Sequence, residues 1–497
     1  MEMADLWCRT WTIFSLLLLC AHFCICILKE KDSHSETNRV LKSFFCIGVL
    51  EMAYALLQWL RLLPSMNHRF LFTGSFDNPA ILAMLLSICL PIGFHFMTTE
   101  PAHKRLWAWL TACMAIFLLA TGARTGILAG VCSAIPTGWP TLKKHRGKWS
   151  KPKLFFILSF IVLAFAGLYF SKQDSADGRI LIWRISMDMI AERPLWGWGL
   201  NGFDAHYMDF QANYFLRHPA SKYVLLADNL TNPFNEFLLF AIRYGLAGLA
   251  ALLLVLVILL KKIFMQSGMY HHVWVSICVT LCLWSLFSYP YRIPFVWLVT
   301  AYLASSALFP AMPPKKYAKP LATCILLVII LPTIRTYLSF KDKREWIQVQ
   351  ERASRGETEA MLPQYAMLYD RLKKDGSFLY NYGAELHFAG HYQKSLEVLK
   401  ECTRQYNDYN VQMLLADDYQ KLGFPQKAIE KYRYANRMVP HKFFPLYQEM
   451  QIHITEGDSL HACKTALAIL QKDIKIHSRT IEKIQEEAKD CLQSYGQ

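Results

Sequence analysis

Long apolar runs, recurring through the first two thirds of the chain, constrain its fold more than any other feature. A bilayer core takes about 20 apolar residues per helix. Runs of that kind fall near 11–28, 40–60, 79–97, 105–121, 123–139, 154–170, 237–260, 273–289, 293–309 and 320–338. No water reaches the hydrocarbon to satisfy open backbone groups, so such runs cross as helices. The expected fold class is therefore all-α, a polytopic transmembrane bundle of about 10 spans. The run at 123–139 is the weakest, because Pro136 and glycines interrupt it. The first run belongs to this series and no small-residue cleavage site follows it, so it reads as a span and not a cleaved leader.

Charge gives the orientation. The chain carries 53 Lys+Arg against 38 Asp+Glu. From Lys341 onward stand 23 of those basic and 22 of those acidic groups, which leaves 30 against 16 in the first 340 residues. A basic excess confined to the apolar part points to cytoplasmic loops, and no RNA-binding signature or basic arm supports a nucleic-acid partner. The loop Leu142–Lys153 holds Lys143, Lys144, Arg146, Lys148, Lys151 and Lys153, which makes it cytoplasmic. Counting spans from it puts Lys29–Lys42, Lys104–Arg105, Lys261–Lys262 and Lys315–Lys319 on the same side. The other side receives 62–78, Thr121–Arg124, the long loop 171–232 and everything after Tyr337. Most of the 14 cysteines sit inside apolar runs and act as small hydrophobes. Cys278 and Cys282 share a helix face without a His or carboxylate partner, which suits packing and not a metal.

After Lys341 the composition turns soluble and a repeat emerges, so the chain divides into a membrane domain over 1–340 and a repeat domain over 341–497. Gly356, Gly390, Gly423 and Gly457 recur at spacings of 34, 33 and 34. Small residues keep register with them: Gly383, Ser395, Ala416, Ala428 and Ala462, with Ala435 and Pro440 completing one unit. This region resembles tetratricopeptide repeats, which implies an α-solenoid with a concave groove for a protein partner. A purely structural solenoid fits the same pattern.

Three clusters lie on the external side. The first is Gly74-Ser75-Phe76-Asp77-Asn78-Pro79, and the second is Thr121-Gly122-Ala123-Arg124-Thr125-Gly126. The third runs from Asp177-Gly178-Arg179 to Trp183, through Arg193-Pro194-Leu195-Trp196-Gly197-Trp198-Gly199, and ends at Asn232-Pro233-Phe234-Asn235-Glu236-Phe237. Loops longer than about 15 residues carry function or disorder, and 171–232 is too aromatic and too poor in charge for disorder. Ile180–Ala191 reads as an amphipathic helix that Arg193–Pro194 ends. Bland roles exist for each polar residue: Asp77 and Asn78 as caps before Pro79, Arg124 snorkelling to headgroups, Arg179 paired with Asp177 or Asp188, Asn235 capping the next span. Taken jointly, two arginines with amides and acids beside an aromatic loop favour a lipid-pyrophosphate-linked glycan. Arginine matches phosphate bidentately, and aromatic faces suit sugar rings.

These clusters, with Tyr244-Gly245-Leu246-Ala247-Gly248-Leu249 after them, resemble the signature of the O-antigen ligase and polymerase superfamily over roughly 70–310. The resemblance implies a metal-independent, cofactor-free, inverting glycosyltransferase in the bacterial inner membrane, its catalytic loop in the periplasm. It implies a polyprenyl-pyrophosphate-linked glycan as donor and lipid A core, a glycan chain or a protein hydroxyl as acceptor. It also implies that Arg124 and Arg179 contact the pyrophosphate. On the substrate side the clusters and the external loop offer Asp77, Asn78, Asp228, Asn235, Glu236 and His218. The family often has His-Asn where this chain reads Phe234-Asn235, and that His activates the acceptor. Asn232 cannot act as a base, so His206, His218, Asp228 and Glu236 are the substitutes in reach. A transporter of the same lipid would show internal repeats and mid-span charges, and the membrane part shows neither. A scaffold acting through the repeats is the third class.

Overall fold

The computed structural model describes residues 33–144, 167, 173–265, 268–308 and 338–495, and among them all regular structure is helical. Helices α1 (Ser33–Trp59), α2 (Pro79–Thr99), α3 (Lys104–Ala120), α4 (Arg124–Lys144), α5 (Gln173–Glu192) and α6 (Gly202–Arg217) come first. They are followed by α7 (Glu236–Met265), α8 (His271–Phe287) and α9 (Pro294–Leu308). Three described helices are long and apolar enough to cross a membrane: Ser35–Trp59, Pro79–Thr99 and Glu236–Met265. The α3 and α8 helices have 17 residues and α9 has 15, short of the roughly 20 that a full crossing takes. The expected spans at 11–28, 154–170 and 320–338 lie outside the described residues, apart from Gly167 and Leu338.

The chain forms two compact units. The first comprises Met1–Ser171, Phe234–Phe237 and Ala250–Phe340. Its interior is a helix cluster in which small residues allow close approach. A Cβ on Gly126 would come within 2.8 Å of Ala83 and 3.3 Å of Trp284, so α4 lies tight against α2 and α8. One turn further along α4, Gly130 faces Leu90 of α2. Contacts that advance together in this way mean that α2 and α4 run in the same direction. The Trp284 indole N–H donates to the Ser87 hydroxyl at 2.9 Å, satisfying two polar groups inside the cluster.

The second unit comprises Lys172–Pro233, Leu238–Leu249 and Lys341–Gln497. Helix α5 stops at Glu192, as Pro194 requires. The chain then meets a break in α7, where Gly245 takes φ 70° and ψ −175°. That break frees backbone groups, and the segment after α5 satisfies them. Trp198 N–H donates to Ile242 C=O at 2.7 Å, and Gly199 N–H donates to Arg243 C=O at 3.0 Å. In return Leu246 N–H donates to Pro194 C=O at 2.6 Å and Ala247 N–H to Leu195 C=O at 3.4 Å. The approach leaves no room for side chains: a Cβ on Gly197 would sit 2.5 Å from Ile242 C=O, and one on Gly245 would collide with the Leu195 carbonyl.

The remainder of this unit is an array of helices, each packed on the next. It starts at Lys341, within the helix α10 that runs over 338–352, and a π-turn at Ala353–Glu357 follows. Helices α11 (Thr358–Leu372), α12 (Gly376–Phe388), α13 (Tyr392–Cys402) and α14 (Tyr409–Lys421) follow, then α15 (Pro425–Met438), α16 (Phe444–Thr455), α17 (Ser459–Leu470) and α18 (Arg479–Tyr495). The four recurring glycines all adopt positive φ, between 73° and 97°. Gly390, Gly423 and Gly457 each sit just past a helix end, where a left-handed residue closes the last turn. The small residues that keep register with them are buried between helices: Ala416, Ala428, Ala435 and Ala462 are fully covered, and Ser395 donates to Gly383 C=O at 2.8 Å.

Gly245 and Gly199, the glycines at the break in α7 and in the segment that faces it, separate steric from conformational cost. Gly245→Ala adds a clash with backbone to an unfavourable φ, whereas Gly199 (φ 85°) has open space around its Cβ position. Gly199→Ala should cost about 1 kcal/mol, and Gly245→Ala should exceed the roughly 1–3 kcal/mol of a strained residue alone. Thermal unfolding of the detergent-solubilised full chain reads the difference. Equal midpoints for the two variants would contradict the clasp.

Candidate functional site

In the first unit, the first two clusters and Phe234–Glu236 come to the same end. Helices α2 and α4 both start there, and α8 finishes there, since Gly126 near the start of α4 meets Trp284 near the end of α8. The Gly74–Asn78 segment is anchored from α1. The Gln58 side-chain carbonyl accepts from Thr73 N–H and Gly74 N–H, both at 2.9 Å, and its amide donates to Gly74 C=O at 2.9 Å. Glu51 accepts from Ser75 N–H at 2.9 Å and from Ser75 Oγ at 2.6 Å. A buried amide and a carboxylate thus fix a loop to which the sequence assigns chemistry of its own. Both sit inside the 40–60 run, so Glu51 is a mid-span carboxylate that the reading of a membrane part without mid-span charges passed over, and Gln58 lies near the run's end. Asn78 is the N-cap of α2: its side-chain oxygen accepts from Ala80 N–H at 2.9 Å, with Pro79 first in the helix. Asp77 beside it is exposed.

Arg124 is half-buried and opens α4, after a turn in which Gly122 has φ 61° and Thr121 Oγ1 accepts from Ala123 N–H at 3.2 Å. Glu236 opens α7, and its carboxylate accepts from Tyr291 N–H at 3.4 Å. Phe234 holds φ 52°, a region that aromatic residues rarely enter, and its ring lies 5.7 Å from that of Tyr289. The Tyr289–Arg292 turn, where Arg292 stacks over Tyr289 at 5.5 Å, belongs to this end as well. It has no sequence signal apart from its place between two apolar runs.

In the second unit, Arg179 and Trp183 share a face of α5, one turn apart. The Trp183 indole donates to Pro233 C=O at 3.0 Å, and Lys222 Nζ lies 3.9 Å from the Asp177 carboxylate. Arg193 stacks on Trp198 at 4.0 Å, and Trp198 donates to Met189 C=O at 2.9 Å while packing on His206 at 4.6 Å. The expected aromatic loop is thus an ordered structure built on α5 and α6. His218 ends α6: its Nδ1 is 3.0 Å from Tyr214 C=O, and its ring stacks on Tyr214. Asp228 is exposed, and its carboxylate accepts from Asn229 N–H at 2.9 Å.

Polar contacts tie this loop to the helical array. Asp209 on α6 accepts from Asn407 Nδ2 and from the Tyr434 hydroxyl, each at 2.6 Å. Burial, with the Asp209 carboxylate opposite, pushes the Tyr434 hydroxyl above its ordinary range, so it stays a donor. Asn407 N–H donates to Asp204 C=O at 3.0 Å, and the fully buried Gln211 donates to Met438 C=O at 2.6 Å. Asn229 donates to Asp408 at 2.9 Å and accepts from Tyr409 N–H at 3.2 Å. Burial lifts the Asp408 carboxyl above its ordinary range even though Val411 N–H and the Tyr406 hydroxyl bond to it.

Residues 109–253 match the family model for O-antigen ligase. The matched stretch contains Arg124, Arg179, the Arg193–Gly199 segment, Asn235, Glu236 and the Gly245 break. It is narrower than the 70–310 of the sequence resemblance, and Asp77 and Asn78 precede it. No curated protein matches the chain.

Asp209 holds two donors at once, so Asp209→Ala leaves both without their acceptor. The cost should be about 1–3 kcal/mol, and Asp209→Asn, which keeps one acceptor oxygen, should cost less. Limited proteolysis between His218 and Thr231 reports it as faster cleavage in the alanine variant. Unchanged cleavage would mean that the array does not hold the loop.

Proposed function

We propose that the chain is a glycosyltransferase of the O-antigen ligase type, which moves a glycan from polyprenyl pyrophosphate to an acceptor at the periplasmic face of the bacterial inner membrane. The observation that carries this reading is the family match over 109–253, which encloses Arg124, Arg179, Asn235 and Glu236 in their signature order. About 10 spans and a tetratricopeptide solenoid complete the proposed architecture, with a 1–340 membrane domain and a 341–497 repeat domain. The acceptor classes that suit the chemistry are lipid A core, a growing glycan chain and a protein hydroxyl, and the solenoid would recruit a protein partner.

In the proposed reaction an acceptor hydroxyl attacks the anomeric carbon, and the bond from that carbon to the pyrophosphate oxygen breaks. Polyprenyl pyrophosphate departs with the electron pair, and the hydroxyl proton passes to a base. Arg124 and Arg179 stabilise the charge growing on the leaving group, with planar donors that a lysine cannot copy. Asp77, Asn78, Asp228, Asn235 and Glu236 serve substrate contacts. For the base, His218 is the best supported of the four substitutes. With Nδ1 facing Tyr214 C=O, the ring proton belongs on Nδ1, and Nε2 becomes the proton acceptor.

Purified protein with lipid-linked glycan tests the reading: polyprenyl pyrophosphate should be released without energy input. Arg124→Ala and Arg179→Ala should each lower turnover by about 100-fold or more, and Arg179→Lys should restore little of it. Near-normal product from both alanine variants would remove the pyrophosphate role. For orientation, a reporter active only outside the cytoplasm should work within 200–225 and after Tyr337, and be silent at Gly147. The reverse pattern would put the site on the wrong face.

A further inference from the structure

His453, Asp458 and His461 bring their ligand atoms within 4.8 Å of one another where α16 turns into α17. His461 Nδ1 lies 2.8 and 3.0 Å from the two Asp458 oxygens, and His453 Nδ1 lies 3.3 Å from one of them. Two ligands each about 2.1 Å from one tetrahedral ion stand roughly 3.4 Å apart; the His453–Asp458 separation is close to that, and the His461–Asp458 ones need only open by about half an ångström. The imidazoles stack, centroids 5.2 Å apart and planes 20° from parallel, and both Nδ1 atoms lie beside the same Asp458 oxygen. We propose that these three residues bind a single divalent transition metal ion of the Zn²⁺ class, which staples α16 to α17.

Helix capping alone does not explain the arrangement. Asp458 caps α17 by accepting from His461 N–H at 3.2 Å, and that needs neither imidazole. The buried His453 supplies the second observation. Its Nε2 has no hydrogen-bond partner and lies 3.8 Å from a Glu449 oxygen that Arg433 already contacts at 2.7 and 2.8 Å. In the neutral ring with its proton on Nδ1, a bare Nε2 lone pair would face that carboxylate. With a metal on Nδ1, the proton sits on Nε2 and points toward Glu449. This is the outer-shell carboxylate that metal-bound histidines commonly have. Two nitrogens and one carboxylate oxygen suit a Zn²⁺-class ion with a position left to water. Asp458 is half-buried and His461 exposed, so an ion can enter from solvent.

The test uses the full chain in detergent, stripped with a chelator and titrated with Zn²⁺, then with Co²⁺ as a spectroscopic stand-in. Wild type should bind one Zn²⁺ more than Asp458→Asn and His461→Ala, and the visible Co²⁺ absorption should vanish in both variants. Asparagine is as good a helix cap as aspartate, so Asp458→Asn keeps the start of α17 and leaves the fold intact. Glu449→Gln should keep the site and weaken it by roughly 10- to 100-fold. Equal Zn²⁺ stoichiometry and affinity in wild type and both ligand variants would overturn the proposal.

Discussion

A peptide group withdrawn from water must find a partner, and the second unit depends on how this is met around one glycine. At Gly245 the chain leaves the helical region, and groups that would have bonded along α7 turn sideways. The Pro194–Gly199 segment takes them up, giving two N–H groups and accepting two in return. The exchange works in both directions, so neither strand of the clasp can shift without stranding the other. It also explains one glycine of the Arg193–Gly199 signature. Gly197 is where two backbones approach too closely for any Cβ.

A second constraint acts on α6. Its apolar side is buried, with Phe203 and Tyr207 stacked and covered, but its link to the array is polar: Asp209, Gln211 and the backbone at Asp204. Hydrogen bonds of this kind add about 1 kcal/mol each, while leaving one unmade costs more. Their main effect is therefore on register. A hydrophobic face tolerates sliding, whereas Asn407, which donates from both backbone and side chain, fits α6 in one position only. Loop and array consequently act as one body, and whatever binds the array is coupled to the orientation of α5 and α6.

What could be read beforehand follows the range of each signal. Periodic apolar runs and glycines at spacings of 33 and 34 are local, and among the described residues they marked the helix that starts at Pro79 and the left-handed turns at Gly390, Gly423 and Gly457. Arg193–Pro194 likewise marked the end of α5. Partners far apart in sequence left no local trace. Nothing in Asp209 announces Asn407 and Tyr434, and Glu51 and Gln58 look like blemishes in an apolar helix until the Gly74 loop folds onto them. The same holds for His453, Asp458 and His461, whose convergence depends on the turn at Gly457 and on stacking that spacing alone does not reveal. Among the site residues, Asn78 turned out to carry a cap, the plain role that its position before Pro79 allowed.

Phe234 joins these threads. An aromatic residue at φ 52° stores local strain of order 1–3 kcal/mol, and such strain persists only where the surroundings impose it. Here the surroundings are Tyr289 against its ring and, two residues on, Glu236 accepting from Tyr291 N–H. The strained backbone at Phe234 is thus held by contacts of its ring and of its neighbour Glu236. If the O-antigen ligase reading holds, this position keeps the geometry that presents Asn235 and Glu236 while giving up the side chain that would take a proton. Two routes are then open, proton acceptance by another element or reliance on the pyrophosphate leaving group and positioning alone. Among the proposed substitutes, His218 has one nitrogen set toward Tyr214 C=O as a donor, which leaves Nε2 as its proton acceptor.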